Sequence, residues 1–140
     1  MTKNKMMTRS AFTLVEILLV LVILGVLAAI VVPKFSGRTE QANQTAAKTQ
    51  LSTFETALDA FEIDNGHYPD SSEGLNALLI NSNDAANWRG PYIKGQQLPL
   101  DPWGRDYMYE YPGKNNLNGY DLVSMGLDGR SGTEDDITNY

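Results

Sequence analysis

The run Phe12–Val32 constrains this chain more than any other stretch. It is 21 residues long and Glu16 is its only charge. A helix rising ~1.5 Å per residue covers about 31 Å over that length, close to the ~30 Å hydrocarbon thickness of a bilayer. The run therefore reads as a transmembrane helix rather than as part of a water-soluble core. Lys3, Lys5 and Arg9 precede it and residues 1–11 contain no acid. That bias places residues 1–11 in the cytoplasm and the rest of the chain across the membrane. A cleaved secretory signal would have a shorter apolar core of about 7–15 residues and a small-residue exit site. Here the run closes on Val31-Val32-Pro33.

An ordinary signal anchor explains the length and the flanking charge but not Glu16. A carboxylate near the centre of a spanning helix costs roughly 2.5–3.5 kcal/mol. Glu16 sits about 6 Å into the run, so its cost is smaller, and the N–H groups of the first helical turn offset part of it. A full positive charge at the start of the segment would offset more. Cutting the chain just before Phe12 would create one, as a free α-amino group.

A Lys/Arg leader, a small residue, then Phe-Thr-Leu-x-Glu and an apolar run (Phe12–Glu16 onward) resembles the N-termini of the type IV prepilin class. The resemblance implies cleavage between Ala11 and Phe12 by a prepilin peptidase and methylation of the new N-terminus. It also implies that Glu16, then the fifth residue, pairs with the terminal amine of a neighbouring subunit during fibre assembly. Ala11 is a departure, since the family normally has Gly before the cut.

Beyond residue 11, eight basic residues face 17 acidic ones. An acidic body without a basic patch argues against DNA or RNA as partner. The chain has no cysteine, which excludes disulfides, thiol nucleophiles and thiolate metal sites.

Pro33 closes the span, and the helical pattern resumes after it. Leu51, Phe54, Leu58 and Phe61 form one apolar stripe at 3-4-3 spacing. Residues 36–50 are mostly Ala, Thr, Gln, Asn and charges, which predicts a lower helical segment that stands clear as a stalk. Asn65-Gly66 gives a left-handed stop. One helix from Phe12 to about Asp64 would run near 80 Å. Ser71 or Ser72 is placed to cap a short helix ending at Leu79. Tyr107, Tyr109 and Tyr111 alternate as a strand does, and Gly119–Gly126 reads as its partner, joined through Gly113–Asn118. The expected class is α+β: a long N-terminal helix, transmembrane in its first half, packed on a small antiparallel sheet. The expected segments are a leader (1–11), a transmembrane and assembly helix (12–33), its periplasmic continuation (34–64) and a globular head (65–140).

The stretches "DNGHYP", "EGLNALL", "GPYI" and "LPLDPWGRDYMYEYPG", together with the acidic C-terminus, resemble the general secretion pathway protein G family, the major pseudopilins of type II secretion. A type IVa major pilin shares only the first stretch and commonly carries a C-terminal cysteine pair. The family resemblance implies a pilin-like fold and a homopolymer built in the inner membrane with the head in the periplasm. The implied partners are minor pseudopilins and an inner-membrane assembly platform with its ATPase. The implied role is structural, driving export of folded proteins. The rivals are a pilin for adhesion, motility or DNA uptake, a membrane-anchored enzyme or binding protein, and a minor pseudopilin, which often lacks the fifth-position Glu or carries a larger head.

Residues 125–137, "MGLDGRSGTEDDI", bring Asp128, Asp135 and Asp136 together with Gly129 and Gly132 between them. Hard oxygen ligands on a flexible loop suit Ca²⁺, although the spacing is not that of an EF-hand. From chemistry alone a solvated acidic loop and a metal site both remain open. The resemblance implies one Ca²⁺, with carboxylates from Asp128, Asp135 and Asp136 and backbone carbonyls from Met125, Arg130 and Thr133.

Little else carries chemistry. His67 is the only histidine and reads as a turn residue; Trp103 reads as a core anchor under a loop, and the three alternating tyrosines as packing or subunit contacts. Asn43-Gln44-Thr45 matches a glycosylation sequon, a frequent chance pattern. No phosphate loop and no nucleophile–base pair occurs, so the chain reads as no enzyme.

Overall fold

The computed structural model describes residues 13–140, the side chains of residues 31–36 excepted. A single helix, α1, runs from Leu14 to Asn65. Two compact units divide the chain, residues 1–38 and 39–140.

In the first unit, α1 carries a continuous apolar surface with none of the described residues covering it. Every large apolar side chain from Leu14 (79 % exposed) to Ile30 (59 %) is at least half exposed. Patches of this size mark contact with a membrane or a protein partner. No helix among the described residues is long and apolar enough to cross a membrane. The expected span Phe12–Val32 is described only over its middle, because Phe12 and the leader, residues 1–11, lie outside the described residues.

The second unit is built on the upper part of α1. Leu51, Phe54, Leu58 and Phe61 are buried, as their spacing predicts, and Ala47 and Ala57 join them. Full burial of each large side chain stabilises by ~1.5–3 kcal/mol. Across from this stripe lie Leu75, Leu78, Ile93, Tyr107, Tyr120, Leu122 and Ile137, and Phe54 meets Tyr107 edge-on at 5.1 Å. The helix stops at Asn65, whose Nδ2 donates to Phe61 O at 2.9 Å. Gly66 follows at φ +82°, its N–H bonded to Glu62 O at 2.7 Å.

The sheet has the order β1-β2-β3, all antiparallel: β1 Met108–Glu110, β2 Asp121–Ser124 and β3 Ile137–Thr138. Tyr107 is buried and Met108 exposed, in keeping with the expected alternation. β2 is buried along its whole length because it lies between two strands and carries Leu122 into the core. β3 was not foreseen; two residues are too short to show a period.

Two expectations are corrected. The segment before Leu79 is a 3-10 turn, Gly74–Leu78, with no side-chain cap. Ser71 does not cap it, because its hydroxyl donates to Tyr111 O (2.9 Å) and accepts from Tyr111 N–H (2.8 Å), tying this segment to the end of β1. Nor does all of residues 36–50 stand clear: Ala47 is fully buried and Glu40 Oε2 accepts from Trp103 Nε1 at 3.3 Å. A polar helix face gave no apolar signal for this contact.

Candidate functional site

Two places carry the chemistry expected from the sequence. At the first, Ala11 and Phe12 lie outside the described residues, and Glu16 lies in the first turn of α1. The Glu16 N–H donates to Thr13 Oγ1 at 3.3 Å, and Thr13 N–H donates back to Glu16 Oε2 at 3.4 Å. This reciprocal pair is a capping box, with Thr13 before the helix and Glu16 at its third position. The Thr-x-x-Glu spacing was present in the sequence and could have revealed it. It holds the carboxylate at the positive end of α1, among N–H groups that lack intrahelical partners.

At the second, β2 and β3 are joined by the acidic loop. Their register, Ser124 opposite Ile137, makes residues 125–136 a long hairpin connection. Gly126 sits at φ +57°, and a Cβ there would strike the carbonyl of Asp135 where the loop closes on itself. Asp128 Oδ1 accepts from Arg130 N–H (2.8 Å), and Asp135 Oδ2 accepts from Asp128 N–H (2.8 Å). The Thr133 hydroxyl lies between these two acids, 2.6 Å from Asp135 Oδ1 and 3.3 Å from Asp128 Oδ1. The bond from Thr133 and that from Asp128 N–H hold the Asp135 carboxyl below its ordinary pKa. Asp136 Oδ2 accepts from Gly132 N–H at 2.6 Å, while its Oδ1 is buried without a partner.

Two of the three proposed carbonyl ligands are engaged once: Met125 O accepts from Gly129 N–H and Thr133 O from Asp136 N–H. Arg130 O lies 3.1 Å from the Thr133 hydroxyl, whose single proton has its shorter contact, 2.6 Å, with Asp135 Oδ1. A carbonyl has two lone pairs, so each keeps at least one. Asp128 and Asp135 are thus brought together and Asp136 is adjacent, but among the described residues no group of three His, Asp or Glu side chains is placed to hold a metal ion.

Sequence reasoning missed the residues that support this loop. Asp101, 4 % exposed, accepts from the N–H groups of Trp103 (3.1 Å) and Arg105 (2.8 Å) through Oδ1, and from the Ser124 hydroxyl (2.8 Å) through Oδ2. Arg105 donates from Nη1 to Gly126 O and from Nη2 to Leu127 O. The signal was the Asp at the head of "DPWGR", since aspartate there bonds backbone N–H groups just ahead of it. Trp103 is half-buried and packs against the core, as expected, with its indole N–H donating to Glu40, and His67 is an exposed turn residue with Nδ1 2.8 Å from Tyr68 O. Tyr109 donates to Pro69 O at 2.8 Å and packs on Tyr120, so it serves the interior of the head. The Tyr107 hydroxyl is buried without a partner, and burial, then the charge of Asp101, push it up to about 12.

The family model described as type II secretion system, protein G, matches residues 34–140, and that described as the prokaryotic N-terminal methylation motif matches residues 6–32. A type II secretion system core protein G from Escherichia coli (strain K12) is 47% identical over 92% of this chain and 89% of its own length. One from Aeromonas hydrophila is 44% identical over 94% and 92%. Among solved structures, the major pseudopilin from the type 2 secretion system of enterohaemorrhagic Escherichia coli superposes with a TM-score of 0.63 at 37% identity, covering 78% of this chain and 96% of that one. These matches bear out the family resemblance and the pilin-like α+β fold, and they favour the pseudopilin over the pilin alternative.

Proposed function

This chain belongs to the type II secretion system protein G family, and we propose that it is the major structural subunit of a secretion pseudopilus rather than an enzyme. The observation that carries the proposal is the first unit's helix: a surface of large apolar side chains left uncovered, with one carboxylate, Glu16, at its positive end. Such a helix is stable in water only when something covers it. In the membrane lipid covers it, with the N-terminus cytoplasmic and the head periplasmic. In the fibre the same surface of other copies replaces lipid. Minor pseudopilins and an inner-membrane platform with its ATPase are the further partners.

Cleavage between Ala11 and Phe12 by the prepilin peptidase supplies the amine that Glu16 needs. Among the described residues that carboxylate is satisfied only by the capping bond to Thr13 at 3.4 Å. A buried ion pair contributes less to net stability than to register, because an unpaired charge in the fibre core is strongly disfavoured. Intact-mass and N-terminal analysis of the membrane-extracted chain should find it starting at methylated Phe12. Glu16→Ala should insert in the membrane normally and fail to assemble; ordinary fibres from that variant rule out the pairing role.

The acidic loop is proposed to take one Ca²⁺ through the carboxylates of Asp128, Asp135 and Asp136 and the carbonyls of Met125, Arg130 and Thr133. Support comes from the orphaned Oδ1 of Asp136 and from the closeness of Asp128 and Asp135, whose Oδ1 atoms both lie within 3.3 Å of the Thr133 hydroxyl. When bound, the ion supplies the positive charge that offsets repulsion among the three acids. The chain's part is to hold their oxygens at the β2–β3 connection, so that the loop stays closed on the sheet.

A further inference from the structure

The neck of the acidic loop is held from outside the loop. Met125, Gly126 and Leu127 follow directly on β2; Met125 O accepts from Gly129 N–H, and the other two carbonyls are taken by one side chain. Arg105 donates from Nη1 to Gly126 O and from Nη2 to Leu127 O, the latter at 3.2 Å. Its guanidinium is seated against Gly129, where an added Cβ would lie 2.6–2.7 Å from Cζ, Nε and Nη2. Arg105 is itself fixed, since its N–H donates to Asp101 Oδ1 while Asp101 Oδ2 accepts from Ser124, the last residue of β2. Asp101 therefore grips both the arginine and the strand end from which the loop departs.

The charge of Arg105 is not used on the loop's acids. Among the described residues the ion pairs are Arg89–Asp64 and Lys114–Glu110, and neither involves Asp128, Asp135 or Asp136. The guanidinium meets carbonyls instead.

We propose that Arg105 is the positioning residue of the acidic loop: by bridging the carbonyls of Gly126 and Leu127 it sets the loop's neck without pairing with any of the three carboxylates. This rests on the calcium reading above. The planar fork of arginine suits two neighbouring carbonyls, and the single ammonium of lysine does not.

The test uses the full-length chain in mild detergent. Calorimetric titration with CaCl₂ is compared for the parent, Arg105→Gln, Arg105→Lys and the control Lys94→Gln, an exposed basic residue outside the loop. Backbone amide exchange is followed in parallel without Ca²⁺. Supporting partners of a metal site typically contribute about 10–100-fold to affinity. Arg105→Gln should therefore weaken Ca²⁺ by at least about tenfold at unchanged stoichiometry, with Arg105→Lys between it and the parent and Lys94→Gln matching the parent. Without Ca²⁺, Arg105→Gln should lose protection at the Asp128 and Gly129 amides while β2 keeps its own. Parent-like affinity together with parent-like protection overturns the proposal. So does loss of protection throughout β2, which would make Arg105 a general support of the fold. A parent that binds no Ca²⁺ defeats the calcium reading alone; the exchange result then decides the role of Arg105, lost loop protection upholding it and retained protection refuting it.

Discussion

Replacing Asp121 by asparagine tests whether one carboxylate organises the entry to the central strand. Oδ2 accepts from the N–H groups of Lys114 (2.9 Å) and Asn115 (2.8 Å) and from Asn115 Nδ2 (3.1 Å), while Oδ1 accepts from Asn116 N–H (2.8 Å). Burial alone raises its pKa, but those donors together outweigh burial and hold the carboxyl below 3.8. Asp121→Asn keeps the shape and removes the charge. Whichever way the amide is turned, its NH₂ meets a donor, and facing Asn116 forfeits one bond instead of three. A lost charge-assisted bond costs ~1.5–3 kcal/mol, and each surviving bond weakens to the ~0.5–1.5 kcal/mol of a neutral pair. Lys114 and Asn115 are exposed, so water relieves part of that loss and the net expectation is ~2–3 kcal/mol. Urea denaturation of the full chain in mild detergent, followed by tryptophan fluorescence, should show a midpoint lower by about 1–2 M at neutral pH. The sign of the pH effect follows from a folded pKa below the unfolded one. The stabilisation is complete above the unfolded value, near 3.8, and is lost as pH falls through the folded value. The gap between parent and variant should therefore narrow in acid below pH 3.8. Equal midpoints at neutral pH, or a gap that does not narrow in acid, would refute this account of the turn.

Asp128→Ala removes the acceptor for Arg130 N–H and one of the two acids beside Thr133; calorimetry should show Ca²⁺ binding abolished, and binding equal to the parent's would remove Asp128 from the ligand set. Trp103→Phe keeps the ring and deletes the donor to Glu40, a long bond at 3.3 Å, so it should destabilise by only ~1 kcal/mol. Amide exchange should then quicken along α1 near Glu40 and not near Phe54; uniform quickening would place the role of Trp103 in packing.

The legible parts of this fold were those whose residues repeat at a fixed period. Leu51, Phe54, Leu58 and Phe61 announced a buried face because a helix returns every 3.6 residues to the same side. Tyr107, Tyr109 and Tyr111 announced a strand because a sheet alternates. What could not be read depends on single long-range polar contacts. Ser71 reached Tyr111 instead of capping a helix, Glu40 met Trp103 from a segment with no apolar signal, and Asp101 bonded Ser124 across 23 positions of sequence. A lone serine or aspartate has no period, and its local and distant partners are chemically alike.

The same distinction separates the two functional places. Glu16 was conspicuous because a charge in an apolar run violates the pattern around it, whereas an acidic loop violates nothing and its support was hidden in "DPWGR". Asp101 and Arg105 change what the loop is physically. Four acids within nine residues, Glu134 among them, would by themselves repel and open. Here Asp135 takes bonds from Asp128 N–H and Thr133, and Asp136 from Gly132 N–H. The neck is pinned by an arginine that neutralises none of the acids. The loop is thus largely ordered through neutral donors while its negative charge is left standing, so a cation that arrives need not meet the full entropic cost of folding it.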